Sequence, residues 1–400
     1  MLWRKGLLQK LVKLHKLINP QLIMKVYLDN AATTPVDQEV FDAMIPVLKD
    51  GFGNPSSTHA FGRKIKSLIE RSRKNVAKHL NCTPGEIFFT SGGTEADNMA
   101  LRCAVRDCGV KHIITSTIEH HAVGHTAEML VKKGLVKVSY VDLDEKGHVD
   151  LTHLESLLAS NPNTLVSLMH ANNEIGNLLP LERVSELCAQ YNALFHSDTV
   201  QTMAHYPYDM QALDKVHFVA CSAHKFHGPK GIGFLYVKKD IQMKPLIHGG
   251  SQERNMRGGT ENVYGIVGLS KALDIAHRDM DEHQVHITAL KSYMIDQLKT
   301  RISDVQFNGD SDNLSKSLYT VLSVSLPATD IAAMLLFNLD IYGIACSGGS
   351  ACTSGATAGS HVLVGINAPV ERPTVRFSFS RFNTIDEIDY VLDCLVKLYA

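Results

Sequence analysis

The chain has a single tryptophan, no Cys-x-x-Cys pair among its eight cysteines and no apolar run approaching a membrane span. Neither charge is in excess: 40 Lys and Arg face 41 Asp and Glu, for a formal net charge of −1. Each absence excludes something. Without paired cysteines there is no zinc ribbon or thioredoxin-type site, and unpaired thiols point to a reducing, cytoplasmic setting. Without a basic excess there is no case for direct nucleic-acid binding. No internal repeat or low-complexity tract is apparent. What remains is ordinary globular composition, 44% hydrophobic and 20% charged over 400 residues, enough for roughly two or three domains.

Residues 1–23 stand apart. They carry Arg4, Lys5, Lys10, Lys13 and Lys16 with no acid, and apolar residues at 3, 7, 11, 14 and 18 share one helical face. A transit peptide or membrane-surface helix would read this way, but the expectation is an extension without a folded role. From Met24 the chain reads as a clean start to a folded core. An amphipathic helix is expected over Arg63–Leu80 and a buried strand at Ile87–Thr90. Further strands are expected at 113–116, 136–141 and 165–170, with a helix at 181–191. Such alternation means βαβ units and a mostly parallel sheet flanked by helices. After residue 265 one long helix from Val267 to about Thr300 leads into a smaller α+β domain.

The chemistry centres on Cys221-Ser-Ala-His-Lys225-Phe-His-Gly-Pro-Lys-Gly231, a turn between two apolar runs, Val216–Ala220 and Ile232–Val237. Lys225 sits at strand ends, where ligands bind in open α/β sheets. Partly desolvated there, it can form an imine with a carbonyl; the alternative is a solvated surface lysine. Polar residues recur at successive strand ends: His120; Asn172-Asn173-Glu174; Asp198 and Gln201; Ser222 and His224. Ser91-Gly-Gly-Thr94 between a strand and a helix is suited to an anion, with free N–H groups and the helix dipole behind them, or is simply a turn. Asp198 follows an apolar run, and a buried carboxylate needs a cation; the pyridinium nitrogen of pyridoxal phosphate would serve, while a helix N-cap is the plain alternative. Gly249–Thr260 is glycine-rich and basic, suiting close approach to a phosphate.

Cys346–Ser360 contains no side chain larger than threonine. With so little apolar area to bury it is expected to be mobile. Cys352 lies mid-loop and could travel into a site and out again, or be an inert thiol. Cys346 follows the apolar run Ile341–Ala345 and is expected to pack.

Together these segments resemble the cysteine desulfurases of the NifS/IscS type, in the class V aminotransferase superfamily. The matching pieces are Tyr27–Pro35, Phe89–Asn98, Glu119-His120, Asn172–Gly176, Asp198-x-x-Gln201, Ser222–Lys225, Arg257–Thr260, Ser350–Ser354 and Val375–Ser378, in family order across residues 25–400. The resemblance implies a type I pyridoxal-phosphate fold with active sites at a homodimer interface. It implies a segment 24–40 packed on the small domain, a large cofactor domain over 41–264 and a small domain over 265–400. Lys225 would hold pyridoxal 5'-phosphate, Asp198 would pair with the ring nitrogen, Gln201 would bond the phenolic oxygen and His120 would stack on the ring. Gly93, Thr94, Ser222 and His224 would cradle the phosphate, with Thr260 reaching in from a second subunit. Asn173 and Arg376 would hold the substrate, L-cysteine, and Cys352 would take its sulfur as a persulfide, releasing L-alanine. The sulfur would pass to an iron–sulfur scaffold or a tRNA-modifying acceptor protein. No intrinsic metal is implied, although Cys352 could ligate a nascent cluster in transit. The nearest other activities are selenocysteine lyase and other class V lyases or transaminases.

Overall fold

The computed structural model describes residues 24–348 and 359–399. The expectations for residues 1–23 and for Cys352 therefore lie outside the described residues. β1 (Val26–Tyr27) precedes α1 (Gln38–Asp50), whose N-cap Asp37 accepts the Glu39 N–H at 2.7 Å. In α2 (Ala60–His79), Ile65, Ile69 and Val76 recur at helical spacing and are buried. There follow β2 (Ile87–Thr90), α3 (Gly93–Asp107), β3 (His112–Thr115), α4 (His121–Lys132), β4 (Lys137–Tyr140), α5 (Leu151–Ser160), β5 (Thr164–Ser167), α6 (Leu181–Gln190) and β6 (Leu194–Asp198). β7 (Phe218–Ser222) and β8 (Gly233–Val237) enclose the turn that carries Lys225.

These strands form one seven-stranded sheet in the order β2-β8-β7-β6-β5-β3-β4. β8 runs antiparallel to both neighbours and the other pairs are parallel. The central strands are apolar along their length because helices cover both faces. Parallel pairing brings the C-terminal ends of β3, β5, β6 and β7 to one edge. A 3-10 turn, Ala223–Lys225, sets the lysine at that edge.

α7 (Val263–Arg278) and α8 (Met280–Arg301) replace the single helix expected over 267–300. The break falls at Asp279 (φ −113°, ψ 18°), whose carboxylate accepts from Arg278 Nε at 2.8 Å. Aspartate competes for local hydrogen bonds and favours a cap over a helix interior. Beyond lie β9 (Gln306–Phe307), β10 (Val321–Ser325), α9 (Leu335–Ile341), β11 (Ile344–Ala345), α10 (His361–Gly365), β12 (Thr374–Ser378) and α11 (Ile385–Tyr399). A three-stranded antiparallel sheet, β12-β10-β9, packs Leu322, Val324 and Phe377 with Leu290 and Met294 of α8 and Leu392 of α11. β1 pairs in parallel with β11, and Asp29 bridges Ser378, so the start of the described chain lies against β12.

One segment is strained. Glu253, Arg254 and Asn255 have φ of 44°, 56° and 66°, a left-handed turn without glycine. It persists because buried Glu253 grips buried Arg73 through two bonds of 2.7 and 2.8 Å and also accepts the Phe89 N–H at 2.8 Å. The turn is thereby fixed to β2.

Candidate active site

A cleft of about 470 Å³ opens at the edge where the parallel strands end. Gly93, Thr94, His120, Asn173, Asp198, Gln201, Ser222, His224, Lys225 and Arg376 all line it. These are the residues expected there, with two exceptions: Cys352, which lies outside the described residues, and Thr260, which is exposed and not among the lining residues.

The floor comes from the strand ends. Asp198 closes β6, with Oδ1 accepting the Val200 N–H at 2.9 Å. Burial raises its pKa, opposed by His120 and then Lys225. His120 caps α4, its Nδ1 accepting the Ala122 N–H at 3.1 Å, which fixes the ring's orientation. Burial depresses its pKa, with Asp198 opposing. Lys225 Nζ donates to the carbonyls of Ala31 and Ala32 at 2.5 and 3.0 Å. Gln201 Nε2 donates to the same Ala31 carbonyl at 3.0 Å. The segment after β1 thus meets both side chains that face the cleft from β6 and β7.

The end of the cleft is the N-terminus of α3. Its N-cap, Gly92, supplies no side-chain bond, so the first N–H groups have no capping oxygen of that kind. A Cβ on Gly93 would come within 2.5 Å of Val200 Cγ2, so only glycine leaves this cradle open. Such a terminus favours a phosphate. With a buried carboxylate, an amine and an oriented imidazole in one cleft, the residues present fit pyridoxal phosphate.

The opposite wall was only partly anticipated. Arg376, 2% exposed, donates from Nη1 to the Asn173 carbonyl at 2.9 Å and from Nη2 to Asp29 Oδ1 at 2.7 Å. Its Nε is buried without a partner. Ser347 Oγ also donates to Asp29 Oδ1, at 2.8 Å. Asp29 lies in the Tyr27–Pro35 stretch but drew no role, because nothing in sequence joins residues 29, 347 and 376. Asp97 was also missed. It is buried in the lining of the cleft, 3.3 Å from His196 Nε2. Burial, Asp198 and Glu119 all raise its pKa, and burial pushes Glu119 to about 8. Asp198 differs in that His120 and Lys225 favour its charged form.

Comparison with known proteins agrees with this geometry. A family model described as aminotransferase class-V matches residues 26–391. The chain is similar to the cysteine desulfurase IscS of Dictyoglomus turgidum, 43% identical over 378 residues that span 94% of each chain. It is 40% identical over 370 residues to a protein named putative cysteine desulfurase IscS 1 of Bacillus subtilis, across 91% of this chain and 96% of that one. A solved structure titled NIFS-like protein superposes with a TM-score of 0.86 at 38% identity, covering 94% of this chain and 99% of its own.

Proposed function

The chain belongs to the class-V aminotransferase family and is a pyridoxal-phosphate-dependent cysteine desulfurase of type I fold, and we propose how its own residues carry that reaction. One observation carries the assignment: Lys225, Asp198 and His120 converge in a single cleft at the bare N-terminus of α3. Pyridoxal phosphate, when bound, supplies an electron sink for charge developing at the substrate's Cα. Lys225 holds the cofactor and moves the Cα proton through Nζ. Asp198 holds the ring nitrogen, Gln201 the phenolic oxygen and His120 the ring face. Gly93, Thr94, Ser222 and His224 hold the phosphate.

Arg376 and Asn173 orient the carboxylate of L-cysteine, the guanidinium fork kept in place by Asp29. Cys352, as a thiolate, attacks the substrate sulfur. The new S–S bond takes the electron pair of the thiolate, the C–S pair remains with carbon, and protonation there gives alanine. The persulfide then passes to an acceptor, either an iron–sulfur scaffold or a sulfur-carrier protein. Phe41, Ile45, Leu48, Phe52 and Phe61 stand exposed on and beside α1 and α2, an apolar face consistent with a homodimer. A second chain would then bring Thr260 to the phosphate. Among the described residues no helix is long and apolar enough to cross a membrane; a cytoplasmic location is our reading.

The test is reconstitution with pyridoxal phosphate followed by assay of alanine and sulfide from cysteine. Lys225→Ala should lose roughly 10²–10⁴-fold in rate, the range for a positioned acid–base group, together with the cofactor's visible absorbance. Cys352→Ala should keep the absorbance and lose sulfur transfer. Full desulfuration by Cys352→Ala would overturn the assignment.

A further inference from the structure

A second cluster of donor side chains lies outside the cleft. His121 and His125 occupy the first turns of α4 four residues apart, and their rings stack at 4.6 Å between centroids, 20° from parallel. His361, the first residue of α10, lies on the other side of His121 at 4.5 Å and 35°. Burial first, then His361 and His125, depress the His121 pKa, which favours the neutral ring, the form that ligates metals.

The third ring is already arranged as a ligand. His361 Nε2 lies 2.8 Å from the Glu119 carbonyl, an oxygen that can only accept. Nε2 therefore carries a proton, and in the neutral ring Nδ1 keeps its lone pair. A backbone carbonyl that fixes tautomer and ring direction is the usual outer support of a metal-bound histidine. Two histidines four apart on one helix face supply the other half of such a site.

We propose that His121, His125 and His361 bind a borderline divalent transition metal, such as zinc, cobalt(II), nickel or copper(II), which ties α4 to α10. Among the described residues only Asp97, His120 and Asp198 already place three donor atoms within 4.8 Å of one another, and those groups belong to the cofactor cleft. The histidine trio would close on a metal by rotation of the His121 and His125 rings, His361 being held by the Glu119 carbonyl. His125 is exposed to solvent. All-imidazole donors select these metals over magnesium and calcium, and water completes the coordination.

The consequence is mechanical. α10 is the first element after residues 349–358, which include Cys352, while α4 is capped by His120. A metal here joins the far anchor of the Cys352 segment to the helix that orients the ring-stacking histidine. The proposal does not depend on the reaction assigned above.

The test is cobalt(II) titration of the pyridoxal-phosphate-loaded protein, read as a difference spectrum against the metal-free form, with zinc by calorimetry and magnesium as control. The expected result is one cobalt per chain, displaced by zinc and untouched by magnesium, with d–d absorption and no thiolate-to-cobalt charge-transfer band. His121→Ala and His361→Ala should each weaken binding at least about tenfold while the cofactor spectrum is retained. His125→Ala changes an exposed side chain, so its weakening cannot be ascribed to misfolding. Absence of saturable binding, a thiolate band, or unchanged affinity in any one of the three variants would overturn the proposal.

Discussion

The two walls of the cleft are built in different ways. The cofactor wall is a product of one sheet: parallel pairing places the ends of β3, β5, β6 and β7 side by side, and each contributes its polar residues from a short stretch of chain. The substrate wall is assembled from three distant segments, with Arg376 on β12, Asp29 after β1 and Ser347 beyond β11 meeting through hydrogen bonds of 2.7 and 2.8 Å. The first wall inherits its rigidity from buried strands. The second depends on a few charged contacts. Damage to the first should therefore appear as lost stability, and damage to the second as lost substrate affinity.

The largest effect expected is in the sheet that carries the cofactor wall, at β2. Glu253→Gln removes the carboxylate that holds buried Arg73 through two bonds, leaving Glu70 at 3.2 Å as its remaining ionic partner, under a turn with three left-handed residues. Breaking such a pair costs about 3–5 kcal/mol, which denaturant unfolding of the loaded protein would register as a lower midpoint. On the substrate side Arg376→Lys keeps the charge and loses the fork that holds both Asn173 and Asp29. A charge-assisted hydrogen bond is worth about 1.5–3 kcal/mol, so KM for cysteine should rise roughly ten- to a hundredfold, with a much smaller change in the unfolding midpoint. Asp29→Asn should raise KM less, because the amide oxygen can still accept from Nη2. If Arg376→Lys lowered the midpoint as far as Glu253→Gln, the contrast between the walls would fail.

The same contrast decides what was legible in the sequence. Lys225, Asp198, His120 and the Ser91–Thr94 turn could be found because each sits where an apolar run gives way to polar residues, and parallel topology brings such transitions together. Asp29 gave no comparable signal: its importance comes from tertiary contact across more than three hundred residues. Asp97 was hidden differently, since an acid in the first turns of a helix ordinarily reads as favourable interaction with the dipole. The histidines at 121, 125 and 361 could not be joined for the same reason as Asp29. The single helix expected over 267–300 failed at Asp279, where apolar periodicity continues across a residue whose side chain ends one helix.

A last contrast separates the regions by pH. Around the large sheet, burial depresses His170, His205, His217 and His224 to about 4 and His196 and His227 to about 3. As pH falls below 6.5 the unfolded chain takes up protons that these folded groups refuse, so stability contributed there is lost progressively on acidification. In the small-sheet core the titrating group is Lys291, fully buried, its Nζ donating to Ser317 Oγ and the Leu318 carbonyl at 2.8 and 3.0 Å. Burial lowers its pKa from 10.5 to about 7. Between those values the unfolded chain holds the proton and the folded one does not, so this core gains stability as pH rises from 7 toward 10.5. Thermal unfolding measured from pH 7 to about 8.5, below the range where the buried thiols of Cys346 and Cys394 oppose the trend, should show a rising midpoint that Lys291→Met flattens, while the acid limb stays unchanged. A Lys291→Met protein with the same alkaline rise would mean that the small-sheet core does not titrate through this lysine, and the two regions would no longer differ in their pH response.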